Sequence, residues 1–381
     1  MRRTLIWIMG TITTLALATA AGATVMDAKP SYVSGTAEAG RVERVNRQLN
    51  YLDGQNQATF HYPGAEYVKV HFASVLVLPG DYLIVSNSDG TEEHKVTKPG
   101  WAMSITGDVA KVQLHRTNLL GDVVAQLGVT IDQVSRGFTA PEREVTAKKS
   151  RERKSREESI CGNDDKADAV CYKTTDPVLY KRSKAVARLL IKGTELCTGF
   201  RVGTENRLLT NYHCIGNAEE AADTEVWFNY QCAQCGGYEV FRPTKVWLSQ
   251  VLASDSTLDY TLFSVTDFDL VRKFGYLELD VRRPDKGEEL YIPQHPTGAP
   301  SMIALSSDRD GAGNCAVQDP AYDGYAPDTD VSYYCDTEGG SSGSPVLSRV
   351  TNKVVALHHF GGCPNSGVRL ERIFTAIQSL L

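Results

Sequence analysis

A serine between glycines is the first feature of the sequence that could do chemistry. The segment Gly340-Ser-Ser-Gly-Ser-Pro345 places Ser342 on a short turn. Glycines on both sides allow the tight backbone geometry that exposes a hydroxyl, and nearby backbone N–H groups can then converge on an oxyanion. We predict that Ser342 is a nucleophile, with Ser341 and Ser344 as rival hydroxyls. A flexible glycine- and serine-rich loop is the alternative interpretation.

A histidine at the end of an apolar strand is the candidate general base. The segment Leu208-Leu-Thr-Asn-Tyr-His213 ends at the imidazole, and Cys214 follows immediately. Cys197 lies 17 residues before Cys214. A disulfide between the two would fix the backbone of His213 and stabilise the fold by about 3 kcal/mol. A purely structural histidine is the alternative interpretation.

An aspartate that opens an apolar strand is the candidate third member. Asp259 directly precedes the segment Tyr260-Thr-Leu-Phe-Ser-Val265, so its carboxylate should be partly buried. Burial is costly without a hydrogen-bond partner, and an imidazole N–H is a suitable one. Asp255 is a rival, but only Asp259 adjoins the apolar run. A strand-capping aspartate is the alternative interpretation.

The elements that must position these groups are short strands. Residues 160–381 contain strand-like runs separated by turns, and residues 373–381 have apolar side chains at helical spacing. Many strands followed by one C-terminal helix favour a pair of β-barrels over an α/β sheet. The predicted strands are residues 185–191, 199–202, 225–228, 261–265, 289–292, 345–347 and 354–357.

The preceding region has the pattern of a separate β-domain. Residues 67–72 and 81–86 alternate with period two, Pro79-Gly80 separates them, and residues 111–115 continue the pattern. We predict that residues 24–142 form a small β-sandwich, and we find no chemistry in it.

Residues 143–159 are predicted to be a charged linker. Residues 148–158 are almost entirely charged or serine and have nothing to bury, which favours a solvated tether or an exposed helix. Two interpretations stay open. The linker is a passive connection, or it is a processing site that frees the chain from about residue 160 onward and makes the whole chain a zymogen.

The composition and the N-terminus indicate export. The 381-residue chain has a formal charge of −6, which argues against a nucleic-acid partner. Arg2 and Arg3 precede a short apolar run, and small residues follow it, so residues 1–23 are predicted to be a signal peptide, with a membrane anchor as the alternative. All 9 cysteines lie from Cys161 onward, which suits four disulfides and one free thiol in an extracellular or periplasmic protein.

The order His213, Asp259, Ser342, with its flanking residues, resembles the chymotrypsin-like (trypsin-type) serine endopeptidases. The likeness covers residues 160–381 and is greatest to the secreted bacterial lysyl endopeptidases. It implies an all-β fold of two barrels with a C-terminal helix, a protein or peptide substrate and no cofactor. We expect a monomer with no membrane association after signal cleavage. The matching segments are Cys197-Thr-Gly199, Thr210-Asn-Tyr-His-Cys214, Asp259-Tyr-Thr-Leu262, Thr337-Glu-Gly-Gly-Ser-Ser-Gly-Ser-Pro345, Leu357-His358 and Phe360-Gly-Gly-Cys363.

The resemblance implies a role for each member of the site. Ser342 would attack the scissile carbonyl, His213 would transfer the proton, and Asp259 would orient the imidazole. The backbone N–H groups of Gly340 and Ser342 would form the oxyanion hole. Ser341 stands where trypsin-type enzymes have an aspartate that pairs with a newly cut N-terminus. We therefore do not expect activation by that ion pair, and an inhibitory leader would act by steric cover.

The resemblance also implies disulfides. Besides the Cys197–Cys214 bridge, it suggests Cys161 with Cys363, and Cys171 with either Cys235 or Cys232. Two further cysteines have no counterpart in the lysyl endopeptidases, and the economical choice is that they pair with each other; they are Cys315 and Cys335. The segment Cys232-Ala-Gln-Cys235 has the spacing of a redox or zinc motif, but no second such motif accompanies it, and we expect no metal site.

The preference for the substrate side chain is the most ambiguous feature. Asp336 falls where trypsin-type enzymes place the carboxylate at the floor of the primary pocket, and Gly361 and Gly367 fall at its walls. A carboxylate there would favour lysine or arginine. Against this, the lysyl endopeptidases use an aspartate from a later segment, where this chain has Val368.

Two other residues match a pattern seen in glutamate-specific relatives, although the lysine-specific ones share both. They are Thr337 and His358. Because an ionised Asp336 would repel an acidic substrate group, we expect cleavage after basic residues.

Two further functions stay open at the level of sequence. One is a catalytically inactive peptidase-like protein whose N-terminal β-domain binds glycans or proteins. The other is an extracellular disulfide-exchange protein, which would need an exposed cysteine of low pKa that the sequence does not identify.

Overall fold

The computed structural model describes residues 36–51, 55–117, 127–152 and 159–381. Of these, residues 147–152 are described by their backbone only. The predicted signal peptide lies outside the described residues, as does the end of the charged linker, residues 153–158. None of the helices in the described ranges is long and apolar enough to cross a membrane.

The N-terminal region is built from ten strands. Their bounds are β1 (Ala37–Glu38), β2 (Gly40–Asn50), β3 (Gln57–His61), β4 (Tyr67–Leu76), β5 (Tyr82–Ser86), β6 (Glu93–Val96), β7 (Gly100–Trp101), β8 (Ile105–Thr106), β9 (Val109–His115) and β10 (Gly128–Gly137). Nine of them form two antiparallel sheets, one in the order β2-β10-β4-β7 with β8 also paired to β4, the other in the order β3-β9-β5-β6.

The two sheets enclose one apolar core. Val68, Val70 and Phe72 of β4 face Leu83 and Val85 of β5, and all five are fully buried. Their period-two spacing is what places them on the inner faces of the sheets. The region is therefore the β-sandwich that the alternating pattern predicts.

A helix follows the sandwich where the charged linker was predicted. Helix α1 (Ala140–Glu152) begins after Thr139, whose backbone N–H and hydroxyl both donate to the carboxylate of Glu142, at 2.9 and 3.1 Å. This Thr-x-x-Glu arrangement is one half of a capping box, in which the glutamate side chain satisfies the N–H group of the residue before the helix. The first part of the linker is thus the exposed helix, one of the two forms that its composition allows.

The next elements contain a closed barrel of six strands. Their bounds are β11 (Ala167–Asp168), α2 (Tyr172–Thr175), α3 (Pro177–Ser183), β12 (Val186–Ile191), β13 (Glu195–Arg201), β14 (Leu208–Thr210), α4 (Ala218–Ala222), β15 (Thr224–Phe228), β16 (Thr244–Asp255), β17 (Tyr260–Val265) and α5 (Phe268–Arg272). The strand order is β13-β12-β15-β16-β17-β14, and β14 pairs with β13 again, which closes the circle.

The first barrel packs on both of its surfaces. Ala187, Leu189 and Ile191 of β12 belong to the core inside the barrel. Val186 and Leu190, which alternate with them, belong to cores on its outside. This explains why β12 is a continuous apolar run in the sequence rather than an alternating one.

The second barrel contains the remaining strands. They are β18 (Leu290–Gln294), β19 (Met302–Ala304), β20 (Val317–Tyr322), β21 (Asp330–Tyr333), β22 (Pro345–Ser348), β23 (Val354–Phe360) and β24 (Asn365–Arg369), followed by α6 (Leu370–Ile377). The order is β11-β19-β18-β22-β23-β24-β21-β20. A β-bridge between Glu289 and Ala316 links the start of β18 to the residues before β20. Next to it, Leu290 N donates to Cys315 O at 2.8 Å.

The two barrels meet at a shared core, which confirms the all-β double-barrel prediction. Phe200 and Leu262 from the first barrel pack with Leu347 and Leu357 from the second. Helix α6 adds Leu370, Ile373 and Ile377, whose three- and four-residue spacing puts them on one face. The helix starts earlier than predicted because Leu370 is already buried in this core. It is followed by a 3₁₀ turn at Gln378–Leu380.

The sandwich packs on the first barrel through buried charges. The Lys69 ammonium is fully buried between the carboxylates of Asp223 and Glu225, and Lys245 Nζ donates to Glu92 at 2.7 Å. Strand β1 leaves the sandwich and pairs antiparallel with β13 of the barrel. The sandwich and the barrels therefore belong to one compact unit, although each has its own core.

Candidate active site

Two neighbouring strands bring the candidate base and the candidate acid together. Strands β14 and β17 pair at Thr210 and Thr261, and His213 follows the first strand while Asp259 precedes the second. Asp259 Oδ1 accepts from His213 N at 2.9 Å, and Asp259 Oδ2 lies 2.7 Å from His213 Nδ1. One carboxylate thus holds both the backbone and the ring of His213. This contact puts the ring proton on Nδ1 and leaves Nε2 as the basic nitrogen.

The environment of Asp259 keeps it ionised. Asp259 is 1% exposed to solvent, and its backbone lies in the left-handed region, with φ +45°. Burial alone would raise the pKa of Asp259, but the charges and hydrogen bonds of His213 and His359 hold it below its usual value. The rival Asp255 has a different task, because its Oδ1 caps a turn by accepting from Thr257 N and Leu258 N at 2.8 and 2.7 Å.

The turn of Ser342 is fastened to strand β13. Ser342 O accepts from Thr198 N at 2.8 Å and lies 3.9 Å from Cys214 Sγ. Gly343 has φ +87°, and a Cβ there would lie 2.1 Å from Thr198 O, so no other residue fits. Since the Cys197–Cys214 disulfide joins the same strand to the residue after His213, the nucleophile turn and the histidine share one support.

The two rival serines are engaged elsewhere. Ser341 Oγ donates to Gln294 Oε1 at 2.5 Å and accepts from Glu338 N at 3.2 Å. Ser344 Oγ donates to Ser341 O at 2.5 Å. Both side chains are fully buried. They hold the turn together, and neither has a hydroxyl oriented for nucleophilic attack.

The carbonyl groups of the turn are held by neighbouring donors. Gly339 O accepts from Thr297 N at 2.6 Å, and Gly340 O accepts from Thr198 Oγ1 at 2.8 Å. Gly340 has φ +98°, a conformation that glycine adopts without strain. The first bond fixes the peptide group that carries the Gly340 N–H, one of the two expected oxyanion donors.

Asp336 faces the backbone of the segment that follows the linker. Its Oδ1 accepts from Cys161 N at 2.7 Å, and its Oδ2 accepts from Asp165 N at 2.8 Å. The residue is 1% exposed, and burial raises the pKa of its carboxyl, an effect that the two N–H donors partly oppose. Both oxygens are therefore used to dock residues 161–165, which disfavours the expected role of Asp336 as the receptor of a basic side chain.

Thr337 and His358 carry buried polar atoms without partners. His358 Nδ1 lies 2.7 Å from the Tyr333 hydroxyl, whereas His358 Nε2 and Thr337 Oγ1 make no hydrogen bond within the described ranges. Burial, together with the neighbouring histidines His359 and His213, lowers the pKa of His358 to about 3, so the ring is neutral at pH 7. Native proteins seldom leave buried polar atoms unpaired, and such atoms often await a ligand.

The two predicted wall glycines have different surroundings. Gly361 is buried directly after β23. Gly367 lies on β24 opposite His358, and a Cβ there would come within 3.0 Å of the Tyr333 hydroxyl and 2.8 Å of Leu357 O. Glycine at this position thus leaves room for the contact between Tyr333 and His358.

One histidine that the sequence analysis did not single out lies behind the candidate triad. His359 Nδ1 is 3.1 Å from Asp259 Oδ2, and His359 Nε2 is 2.6 Å from Asp330 Oδ2. The signal was available in the doublet His358-His359. Adjacent residues of a strand point to opposite faces, so a doublet in β23 sends one imidazole to each side.

The cysteines form four disulfides and leave one thiol. The pairs are Cys161–Cys363, Cys171–Cys235, Cys197–Cys214 and Cys315–Cys335. The free cysteine is Cys232, so Cys235 is the partner of Cys171. Burial, with the charge of Asp168 nearby, raises the pKa of the Cys232 thiol to about 11, which is the opposite of what redox chemistry needs.

One group of side chains has the proximity of a metal site. Ligand atoms of Cys197, His213 and Cys214 lie within 4.8 Å of one another. The two sulfur atoms are joined in a disulfide, however, and metal ligation requires thiolates. This group therefore serves to fix the histidine rather than to hold a metal.

A family model matches part of the double-barrel region. Residues 197–357 match the model of the trypsin-like peptidase domain. The likeness to lysyl endopeptidases stays a prediction.

Two curated relatives match part of the chain. "Secreted RxLR effector protein 73" of Plasmopara viticola is 40% identical over 224 residues, which are 57% of this chain and 54% of that protein. An uncharacterized protein of Sinorhizobium fredii is 32% identical over 200 residues, 47% of this chain and 28% of that protein. The chain thus spans about half, or less, of the length of these relatives.

Solved structures of proteases are also similar. A Glu endopeptidase shares 19% identity, with a TM-score of 0.42 over 58% of this chain and 98% of that one. The Rv3671c protease from M. tuberculosis, in its active form, shares 14% identity, with a TM-score of 0.39 over 54% of this chain and 85% of that one.

Proposed function

We propose that the chain is a secreted serine endopeptidase that hydrolyses peptide bonds through an acyl-enzyme. Ser342 Oγ attacks the scissile carbonyl while His213 Nε2 takes its proton, and the same proton then passes to the leaving amine. Water, activated by His213, hydrolyses the ester. Asp259 keeps the imidazole oriented and stabilises its charged form, and the backbone N–H groups of Gly340 and Ser342 bind the oxyanion.

The observation that carries this proposal is the double contact between Asp259 and His213. A strand-capping aspartate would need only backbone donors, and a structural histidine would not need a buried carboxylate with left-handed backbone. The free-energy cost of burying the Asp259 carboxylate is offset mainly by its interactions with His213. A histidine that acts as general base needs a carboxylate partner of this kind.

Labelling with a fluorophosphonate probe tests the nucleophile, because the probe reacts only with an activated serine. We expect the chain to be labelled and Ser342→Ala to abolish both labelling and peptide hydrolysis without lowering the melting temperature. Ser88→Ala, at an exposed serine of the sandwich, is the matched control and should retain both. Labelling that survives in Ser342→Ala would remove Ser342 from this role. A wild-type chain that is folded but not labelled would favour the inactive relative.

We propose further that the primary pocket prefers an acidic side chain, in place of the basic one expected from Asp336. The carboxylate of Asp336 is already held by two backbone N–H groups. Thr337 Oγ1 and His358 Nε2, by contrast, are buried and have no hydrogen-bond partner among the described residues. When the Tyr333 hydroxyl donates to Nδ1 of the neutral ring, the ring proton lies on Nε2. A substrate carboxylate would thus accept from one O–H and one N–H donor.

Cleavage-site profiling on a peptide library tests this preference. We expect cleavage after glutamate, with glutamine, its neutral isostere, cleaved more slowly. Cleavage after lysine or arginine would restore Asp336 as the receptor and overturn the acidic preference, while leaving the serine mechanism intact.

Export is proposed from the N-terminal pattern and from the four disulfides, which form in oxidising compartments. The Plasmopara viticola relative is named as a secreted protein, which agrees with this proposal. N-terminal sequencing of the exported product tests it together with processing. A start near residue 24 indicates removal of the signal peptide alone, and a start near residue 160 indicates a zymogen. An intact N-terminus at Met1 would contradict both.

A further inference from the structure

His359 lies between two buried carboxylates. It sits near the end of β23 with 3% of its surface exposed, while Asp259 and Asp330 are 1% and 0% exposed. Each ring nitrogen of His359 lies within hydrogen-bond distance of one of these carboxylates. An ionised carboxylate only accepts hydrogen bonds, so both nitrogens must donate and the ring is an imidazolium.

The surroundings of the ring support the charged form. Burial disfavours it, but the carboxylates of Asp330 and Asp259 together raise the pKa of His359 to about 9. The ring of Tyr325 meets His359 edge-on, with centroids 5.8 Å apart, and the ring of Phe360 stacks on it at 3.9 Å.

The outer carboxylate is itself held in place. Asp330 Oδ2 accepts from Ser366 Oγ at 2.8 Å, and Asp330 Oδ1 accepts from Thr329 Oγ1 at 2.9 Å. The other titratable groups nearby are Tyr325, which meets the ring edge-on, His358, which is neutral, and His213 on the far side of Asp259. The charges that face His359 in the described ranges are therefore the two carboxylates and, when it is protonated, His213.

Asp259 Oδ2 is the atom at which the two histidines meet. It lies 2.7 Å from His213 Nδ1 and 3.1 Å from His359 Nδ1. The two Nδ1 atoms are therefore at most about 6 Å apart. A second donor on the same oxygen restricts rotation of the carboxylate. A fixed cation on the far side also cancels part of the negative charge that would otherwise favour protonation of His213.

We propose that His359 is a positioning residue of the peptidase site, which fixes Asp259 and, as the centre of a buried chain Asp330–His359–Asp259–His213, places a positive charge behind the general base. The inference rests on the proposed serine-peptidase function and concerns the regulation of the same site by charge. His359 touches neither the substrate nor the reacting atoms. Its effect passes through Asp259 alone.

The size of the effect follows from the spacing. A unit charge about 6 Å from the base, at an effective dielectric constant of about 20, shifts protonation by at most about two pH units. Removing the cation should therefore move the acid limb of the pH profile of kcat/KM upward by about one to two units. A purely structural role would lower the rate or the melting temperature but leave the limb in place.

The experiment compares the full chain with His359→Gln and Asp330→Asn. His359→Gln removes the charge but keeps one donor, and Asp330→Asn keeps the shape while it removes the reason for His359 to be charged. We expect both variants to show the upward shift, with kcat lowered and KM little changed. His115→Gln, on the sandwich where the ring stacks on Tyr82, is the control and should match the wild type. An unshifted acid limb in both variants would overturn the inference.

A measurement on the wild-type chain covers the case in which a variant does not fold. With ¹⁵N-labelled histidine, nuclear magnetic resonance at pH 8 should show one imidazole that is doubly protonated and buried. A neutral ring at His359 at that pH would also overturn the inference. Failure of the proposed function is distinguishable, because the wild-type chain would then neither cleave peptides nor react with the fluorophosphonate probe.

Discussion

Replacement of Thr337 by valine isolates the proposed specificity contact. The two side chains have nearly the same shape, and Thr337 is fully buried, so the substitution removes one hydroxyl and adds one methyl group in the same volume. The hydroxyl has no hydrogen-bond partner in the part of the chain that the structure describes, so its loss leaves no described group without a partner. The backbone bond from Thr337 N to Ser159 O, at 3.2 Å, stays available. We expect stability to be unchanged or slightly increased.

The magnitude follows from the charge of the ligand. A hydrogen bond to a charged group contributes about 1.5–3 kcal/mol, which corresponds to a loss of about 10- to 150-fold in kcat/KM. The loss should apply to substrates with glutamate before the scissile bond. Substrates with glutamine there should lose less, because a neutral amide gains less from the same donor.

The assay measures kcat/KM for peptides that differ only in that residue, namely glutamate, glutamine and lysine. Thr204→Val, at an exposed position, is the matched control and should have wild-type values for all three. An equal loss for all three peptides would mean that Thr337 supports the fold of the site rather than the recognition of charge. No loss for glutamate would refute the reasoning from unpaired donors.

Three other predictions test the support of the site. Gly343→Ala should abolish activity and lower the melting temperature, because its Cβ would overlap Thr198 O, whereas Gly311→Ala, with open space around it, should do neither. Cleavage within residues 153–158 should leave the sandwich bound to the barrels through size-exclusion chromatography in high salt, since the Lys69 contacts are buried; separation of the fragments would contradict this. The pKa of His359 is raised to about 9, so its charge stabilises the fold fully below pH 6.5 and progressively less up to pH 9. Denaturant unfolding of the wild type should show this decline, and His359→Gln should show a flatter profile.

Local patterns are sufficient to predict the strands and the three catalytic candidates. Asp259 and His213 adjoin apolar strands, and the register of β14 against β17 then brings them together. Residues 225–228 and 345–347, predicted as strands, match β15 and β22 closely. Short-range periodicity carries this information, because it reflects which face of each strand is buried.

The surroundings of the pocket could not be predicted in the same way. Asp336 is held by the backbone N–H groups of Cys161 and Asp165, more than 170 residues away. Backbone donors are present at almost every residue, so they leave no mark on the sequence. The sequence indicated only that a carboxylate, that of Asp336, lies near the expected floor of the primary pocket. Only the three-dimensional structure indicates that its oxygens point to the docked segment.

His359 illustrates the same limit for side chains. Its two partners are remote in sequence, Asp259 by 100 residues and Asp330 by 29. The doublet with His358 is visible, but a doublet does not reveal what lies behind each face of a strand. Pairing of β21 with β24, and of β24 with β23, is what carries Asp330 to the ring.

Strand β13 connects β1 with the turn of Ser342. Thr198 of this strand donates to the carbonyls of Ser342 and Gly340, and Leu196, two residues earlier on the same edge, pairs with Ala37 of β1. The same Ala37 lies against Gly339, at the start of the turn. Each backbone group at a sheet edge bonds to one partner strand, so no second strand can pair at Leu196 while β1 occupies that position. Strand β1 therefore covers backbone groups two residues from the strand position that holds the turn of Ser342.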